Sequence, residues 1–410
     1  MNTLDSTLRP LGDALTVPDG RLPRAASTVF RLLESLRGGS LDLRLPGGDH
    51  LAFGQGVPVA AMEVHDPALF AAVLAEGDIG LAGSYIDGGW DSPDLARLLT
   101  LFADNRTTLT RAVYGSFLRL LAARLRHALN ANTRQGARRN IMAHYDLGND
   151  FYRLWLDPTM SYSAALYGDS ETSMAAAQQA KYRRILHRLG VRPGQRILEI
   201  GCGWGGFAEL AASEAGAEVH GVTLSPAQLA WAQARMRAAG VDDRVTLELR
   251  DYRDLAGQYD HIVSIEMFEA VGERWWPTYF ASVARLLKPE GRALIQTITI
   301  RDDLFARYRR GTDFIQQQVF PGGMLPSPQV FARGAGRAGL ALRDDFAFGP
   351  DYARTLAGWL AAFDRAWPEI ARLGFDERFR RLWRFYLAYC EAGFRSGCTD
   401  VRQFALAHAR

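Results

Sequence analysis

The stretch Ile197-Leu-Glu-Ile-Gly-Cys-Gly-Trp-Gly-Gly206 constrains this chain more than any other. A short apolar run leads straight into closely spaced glycines, and the helical pattern FAELAASEAG follows. Glycine lets the backbone turn sharply and lets a ligand approach without meeting a Cβ. The helix that follows offers unpaired N–H groups at its start. The surrounding rhythm agrees. Strands are expected at RILEI, EVHGVTL, VTLELR, YDHIVSI and RALIQTITI, with helices between them. Such alternation predicts an α/β fold, a parallel sheet with helices on both faces.

Two ligands compete for this loop. Gly201, Gly203 and Gly206 satisfy the dinucleotide pattern G-x-G-x-x-G. Glu199, Gly201, Gly203 and Gly205 also form Glu-x-Gly-x-Gly-x-Gly, as in the first motif of class I methyltransferases. A carboxylate at Glu199 suits a sulfonium and an ammonium better than a pyrophosphate. The next strand runs into Gly221-Val-Thr-Leu-Ser-Pro-Ala-Gln228 with no acid at its tip, where a nicotinamide enzyme usually holds a ribose. Asp251 and Tyr252, after the third strand, supply an acidic, aromatic edge suited to adenine. These features favour S-adenosylmethionine.

Composition narrows the partners. A formal net charge of +3 excludes a global polycation for nucleic acid. Eight arginines nevertheless lie between Asn105 and Tyr145 without one Asp or Glu, a pattern that suits an anionic surface. Within that segment Leu118, Leu121, Leu125 and Leu129 form a helical stripe, read either as core packing or as a membrane-facing face. Cys202, Cys390 and Cys398 fit neither a disulfide framework nor a zinc motif, so no metal is expected. No apolar run approaches the ~20 residues that span a bilayer. The N-terminus lacks the apolar core of a secretory signal. The expectation is a cytoplasmic protein touching the inner membrane face peripherally, through residues 105–139. Three regions are expected: a small N-terminal domain over 1–105, a basic helical linker over 106–139, and a methyltransferase domain over 140–410 with helical lid insertions and an acyl-chain pocket. The aromatics of residues 350–400 either wall that pocket or form helix core.

Several ordered motifs carry a closer resemblance. Asn140-Ile-Met-Ala-His-Tyr-Asp-Leu-Gly-Asn-Asp-Phe-Tyr-Arg-Leu-Trp-Leu-Asp-Pro-Thr-Met-Ser-Tyr-Ser163 is followed by GCGWGG, TLSPAQ, DYRDL, Ser264-Ile-Glu-Met-Phe-Glu-Ala-Val-Gly272 and Tyr389-Cys-Glu-Ala-Gly-Phe394. Together with GDIGLAGSYIDGGWDSPDL (77–95), they resemble the cyclopropane fatty acid synthases and the mycolic acid cyclopropane synthases. The resemblance covers roughly residues 50 to 395. It implies S-adenosylmethionine against Tyr162, Ser163, the 199–206 loop, Thr223, Leu224, Gln228, Asp251 and Tyr252. It implies an unsaturated phospholipid as methyl acceptor, with a homodimer as a further expectation. The chemistry is coherent. An alkene is a weak nucleophile and must be held in line with the methyl donor. The resulting carbocation needs aromatic faces and a base that removes a proton.

In cyclopropane-forming members that base is thought to be bicarbonate, held by a Cys, a Glu, a His and a Tyr. By the resemblance, Glu269 and Tyr352 keep two of these positions, while Ala164 and Gln296 replace the Cys and the His. An anion there loses two partners and faces a buried carboxylate. Bicarbonate binding is therefore doubted, and the expected product is a methyl- or methylene-branched chain rather than a ring. The competing expectation is that Glu269 with water still closes the ring. Catalytic roles are expected for Glu269, Tyr352 and Cys390, the last read alternatively as a small buried hydrophobe. His144, Tyr145, Glu266 and Gln296 are expected in the substrate pocket. Two other functions stay open: methylation of a soluble metabolite, and cofactor or lipid binding without catalysis.

Overall fold

A computed structural model describes residues 16–17, 20–113, 147–168 and 173–409. It divides the chain into two compact units, Met1–Ala122 with Phe375–Ser396, and Ala123–Gly374 with Gly397–Arg410. The 118–129 leucine stripe, most of the arginine segment, His144 and Tyr145 lie outside the described residues.

The first unit contains α1 (Arg24–Leu33), β1 (Gly39–Arg44), β2 (His50–Gln55), β3 (Val59–Val64), α2 (Ala68–Glu76), α3 (Asp78–Ile86), β4 (Trp90–Asp91), α4 (Leu95–Asp104) and α5 (Arg106–Val113). Its sheet has the order β2-β1-β3-β4. Alternation sets the buried face: Leu41 and Leu43, Leu51 and Phe53, and Ala60, Met62 and Val64 all point inward. Phe30 of α1 caps them, with its ring 5.7 Å from Phe53 and 5.3 Å from Phe70.

The helix Glu377–Arg395 also belongs to this unit. The sequence placed it in the methyltransferase domain, so that boundary is corrected. Tertiary contacts decide the matter. The Phe385 ring lies 5.6 Å from Tyr85, Arg381 donates to the Trp90 carbonyl at 2.7 Å and to Asp91 at 2.9 Å, and Tyr389 donates to Asp78 at 2.7 Å. Many of the aromatics in this stretch therefore form helix core: Trp383, Phe385, Tyr386 and Phe394 are buried.

The second unit contains α6 (Asn149–Arg153), α7 (Met174–Leu189), β5 (Arg196–Ile200), α8 (Gly206–Ala215), β6 (Glu218–Thr223), α9 (Pro226–Ala239), β7 (Val245–Leu249), β8 (Tyr259–Ile265), α10 (Trp276–Leu286), β9 (Leu287–Ile300), α11 (Asp302–Tyr308), α12 (Pro328–Arg337), β10 (Leu340–Ala347), α13 (Gly349–Arg372) and β11 (Thr399–His408). Seven strands form one sheet in the order β10-β11-β9-β8-β5-β6-β7. β5 to β9 are parallel, while β11 runs antiparallel between β9 and β10. This is the Rossmann-like arrangement of class I methyltransferases. The strand order reverses at β5, and ligands bind such sheets at the carboxyl ends of the strands beside that switch point. Among the described residues no helix is long and apolar enough to cross a membrane.

Candidate active site

Glu199 sits on β5 one residue from its end, and its side chain is 3% exposed. Beyond it, Gly201, Gly203 and Gly205 adopt φ of 86°, 51° and 82°, which side-chain-bearing residues rarely take. A Cβ on Gly201 would come within 2.9 Å of Met267. The loop ends at the start of α8. A cleft of about 1210 Å³, counting its open mouth, lies over it. Tyr162, Ser163, Glu199, Gly201, Gly203, Thr223, Leu224, Gln228, Asp251, Tyr252 and Glu266 all line this cleft. Gly205 does not line it but makes the turn into the helix.

The cleft fits S-adenosylmethionine on two observations. The glycine turn leaves room for a ligand against bare backbone. Glu199 Oε2 also has no hydrogen-bond partner among the described residues. Burial pushes the Glu199 carboxyl well above its ordinary range, opposed by the charges of Arg235 and Lys181. A bound ammonium or sulfonium supplies the missing counter-charge. The Asp251 edge is more occupied than the sequence suggested, because Arg253 grips both carboxylate oxygens, at 2.8 and 2.5 Å.

An aromatic wall stands beside the cleft. The Tyr162 ring lies 5.4 Å from Tyr152, 5.6 Å from Trp155 and 5.3 Å from Trp359. Behind Ser163 is a fully buried ammonium that sequence reading missed. Lys181 donates to Ser163 Oγ at 2.5 Å and to Gln178 Oε1 at 2.6 Å. Burial lowers its pKa to about 8, against the attraction of Glu266, Asp157 and Glu199. One signal was available: Lys181 is one of only two lysines among 48 basic side chains, and it lies on the apolar face of its helix.

Glu266 is the convergence point of the site. It follows the last residue of β8 with φ 50°, a left-handed conformation for a side-chain-bearing residue. Its Oε1 accepts from the Ala164 backbone N–H at 2.8 Å and from Gln296 Nε2 at 2.7 Å, and its Oε2 accepts from the Tyr352 hydroxyl at 2.7 Å. Gln296 is itself held. Its Oε1 accepts from Gln403 Nε2 at 3.0 Å, and Arg184 donates to Gln403 Oε1. Burial raises the Glu266 pKa, opposed first by the charge of Lys181. Glu269, three residues on, accepts the Ile298 N–H at 2.5 Å. Burial and then the neighbouring Glu266 push its pKa up to about 8. Glu269, Tyr352 and Gln296 do not line the cleft; Tyr352 and Gln296 reach it through Glu266.

The cysteines separate. Cys202 is buried in the core beside β6, and burial pushes its thiol well above the ordinary range. Cys390 lies on Glu377–Arg395 in the first unit and is not among the cleft residues.

Comparison with known proteins gives the family. The family described as mycolic acid cyclopropane synthetase matches residues 132–404. The tuberculostearic acid methyltransferase UfaA1 of Mycobacterium tuberculosis is 42% identical over 95% of this chain and 93% of its own. The cyclopropane-fatty-acyl-phospholipid synthase of Escherichia coli is 41% identical over 87% of this chain and 89% of its own. The structure of the cyclopropane synthase MmaA2 from Mycobacterium tuberculosis superposes with a TM-score of 0.62 at 33% identity, covering 66% of this chain and 98% of that one. The mycolic acid cyclopropane synthase CmaA1, solved with S-adenosylhomocysteine and CTAB, gives the same TM-score and identity over 66% of this chain and 97% of its own. This chain is an S-adenosylmethionine-dependent methyltransferase and belongs to the mycolic acid cyclopropane synthetase family.

Proposed function

We propose that the enzyme methylates a carbon of the cis double bond in an unsaturated phospholipid acyl chain, and that its product is branched rather than cyclic. One observation carries this reading. The donors at Ala164, Gln296 and Tyr352 all spend their hydrogen bonds on the protein's own Glu266. By the resemblance, these are three of the four positions that hold bicarbonate in ring-forming members, and the fourth, Glu269, lies three residues from Glu266. With a carboxylate already among them, a second anion meets charge repulsion and few donors. Bicarbonate therefore has no place in this reading.

When bound, S-adenosylmethionine supplies an electrophilic methyl group. The chain's own residues do the rest. Tyr162 presents an aromatic face to the cleft, backed by the buried ring of Trp359, and such a face stabilises a carbocation without attacking it. Glu199 holds the positive end of the methyl donor. Glu266 and Glu269 bring two carboxyl groups to the same strand end. A hydride shift that moves the charge to the methyl-bearing carbon, followed by loss of a proton from the methyl group, gives a methylene branch, and a methyl branch then requires reduction by a separate enzyme. The acid-free arginine segment supports peripheral contact with an anionic bilayer.

The test is mass spectrometry of liposomal phospholipid after incubation with methyl-labelled S-adenosylmethionine. A labelled one-carbon gain whose fragments locate a branch is expected. Cyclopropane lipid as the sole product would refute the branched assignment. Absence of label from all lipids, with cofactor still bound, would refute the lipid substrate. Liposome flotation tests the membrane contact, because an enzyme of soluble metabolites stays in solution.

A further inference from the structure

We propose that Glu266 is the proton acceptor of this reaction, a built-in carboxylate doing the work of a dissociable anion. The inference rests on the lipid methyltransferase reading above and assigns the base within it.

Geometry supports the assignment in three ways. Glu266 lines the cofactor cleft, whereas Glu269 does not. Its two oxygens are held by donors from three separate places: the loop at Ala164, strand β9 at Gln296 and helix α13 at Tyr352. Its backbone also occupies a left-handed conformation at φ 50°. Such strain persists where the surroundings over-determine it, and it clusters at functional sites. A residue needed only to fill space would be glycine at this φ.

The two carboxyl groups are also unequal. Three donors and the buried Lys181 ammonium stabilise charge on Glu266, although burial holds its pKa above the usual carboxylate range. Glu269 is eased by the Ile298 N–H, its own backbone N–H and the Thr297 hydroxyl, but burial and the charge of Glu266 outweigh them. Neighbouring acids whose environments differ divide the roles of charged base and neutral acid. Glu266 takes the base role and Glu269 stays protonated.

The step balances. The alkene π pair forms the new bond to the methyl carbon, and sulfur keeps the pair of the bond that breaks. Positive charge is left on the other alkene carbon. A hydride shift from the methyl-bearing carbon moves the charge onto that carbon. Glu266 then takes a proton from the methyl group, the C–H pair becomes the C=CH2 double bond of the methylene branch, and the neutral acid passes its proton to solvent.

Glu266→Gly is the informative variant, because glycine accepts φ 50° and leaves a carboxylate-sized space facing the same three donors. Methyl transfer at saturating cofactor is expected to fall by about 100-fold or more, with cofactor binding still detected by calorimetry. Added formate or bicarbonate is expected to restore turnover saturably. Carbon-13 NMR with labelled bicarbonate is expected to show binding to Glu266→Gly and none to the parent. Glu266→Gln, which sets an amide against three donors, is expected to lose turnover without rescue. Full turnover in Glu266→Gly, an anion that binds without restoring turnover, or bicarbonate binding to the parent overturns the proposal. Failure of the underlying reading is separate, since it appears as an unsubstituted enzyme that labels no lipid.

Discussion

Gln296 Nε2 donates to Glu266 Oε1 at 2.7 Å, from a strand position paired with Ile265, the residue just before Glu266. The orientation of that amide is not set locally. Gln296 Oε1 is taken by Gln403 and Gln403 Oε1 by Arg184, so the amide has one way to face and presents its N–H₂ to the carboxylate. An amide that flips presents an oxygen instead, and two acceptors then meet.

Gln403→Leu removes the group that fixes this orientation. It leaves Gln296 Oε1 buried without its partner, at a cost of about 1–3 kcal/mol. Urea unfolding should show that loss. Turnover should fall while KM for the cofactor holds, because Gln403 reaches the reaction only through Gln296.

Glu199→Gln should weaken S-adenosylmethionine binding by about tenfold or more, the loss of a charge-assisted contact. Binding to the parent should release a proton, because burial favours the neutral acid and a bound cation favours the carboxylate. Calorimetry in buffers of different ionisation enthalpy measures that proton, and it should vanish in the variant.

Glu269 links stability to pH. Its pKa rises from an ordinary 4.5 to about 8 in the fold, so the folded state holds the proton more tightly than the unfolded chain. Its contribution is complete below about pH 4.5 and is lost as pH rises toward about 8, with a slope of up to about 1.4 kcal/mol per pH unit. Unfolding free energies for Glu269→Gln should lack this decline.

Lys181 has the opposite sign in a different window. Its pKa falls from 10.5 to about 8, so the unfolded chain binds the proton more tightly. Stability should therefore rise with pH between about 8 and 10.5. Lys181→Met should abolish that rise, and it should cut turnover by removing the positive charge that faces Glu266.

Cys390→Ala tests the catalytic role expected for that thiol. Its place outside the cleft lining predicts turnover within about twofold of the parent, in the range of a small-residue change remote from the reacting groups. A loss of 100-fold would restore the catalytic reading.

Much of this molecule was legible in its residues, and the reasons are local. Five strands of the sheet, from β5 to β9, were expected from short apolar runs; the bounds of β5 to β8 agree to within one residue, while β9 begins five residues earlier than expected. Gly201, Gly203 and Gly205 announced a turn that only glycine makes easily. The edge of the sheet was not legible. β10 carries Arg343, Asp344 and Asp345, and β11 carries Asp400, Arg402 and Gln403. Neither stretch was assigned as a strand, because pairing with neighbours along the ladder outweighs weak local propensity.

The sequence by itself determined the chemistry available: a glycine turn, a carboxylate two residues before it, and, by the resemblance, a candidate anion site in which alanine and glutamine replace a thiol and an imidazole. Only the tertiary structure decided what occupies that site. Glu266 lies about 100 residues from Ala164 and about 30 from Gln296, and no local pattern announces that they meet. Nor does helical periodicity report that Lys181 carries its charge into the core, or that Glu377–Arg395 packs on strands and helices from the chain's first hundred residues. A buried charge needs partners that the unfolded chain does not hold nearby. Those partners come together only when the sheet closes and the strand ends meet at one edge.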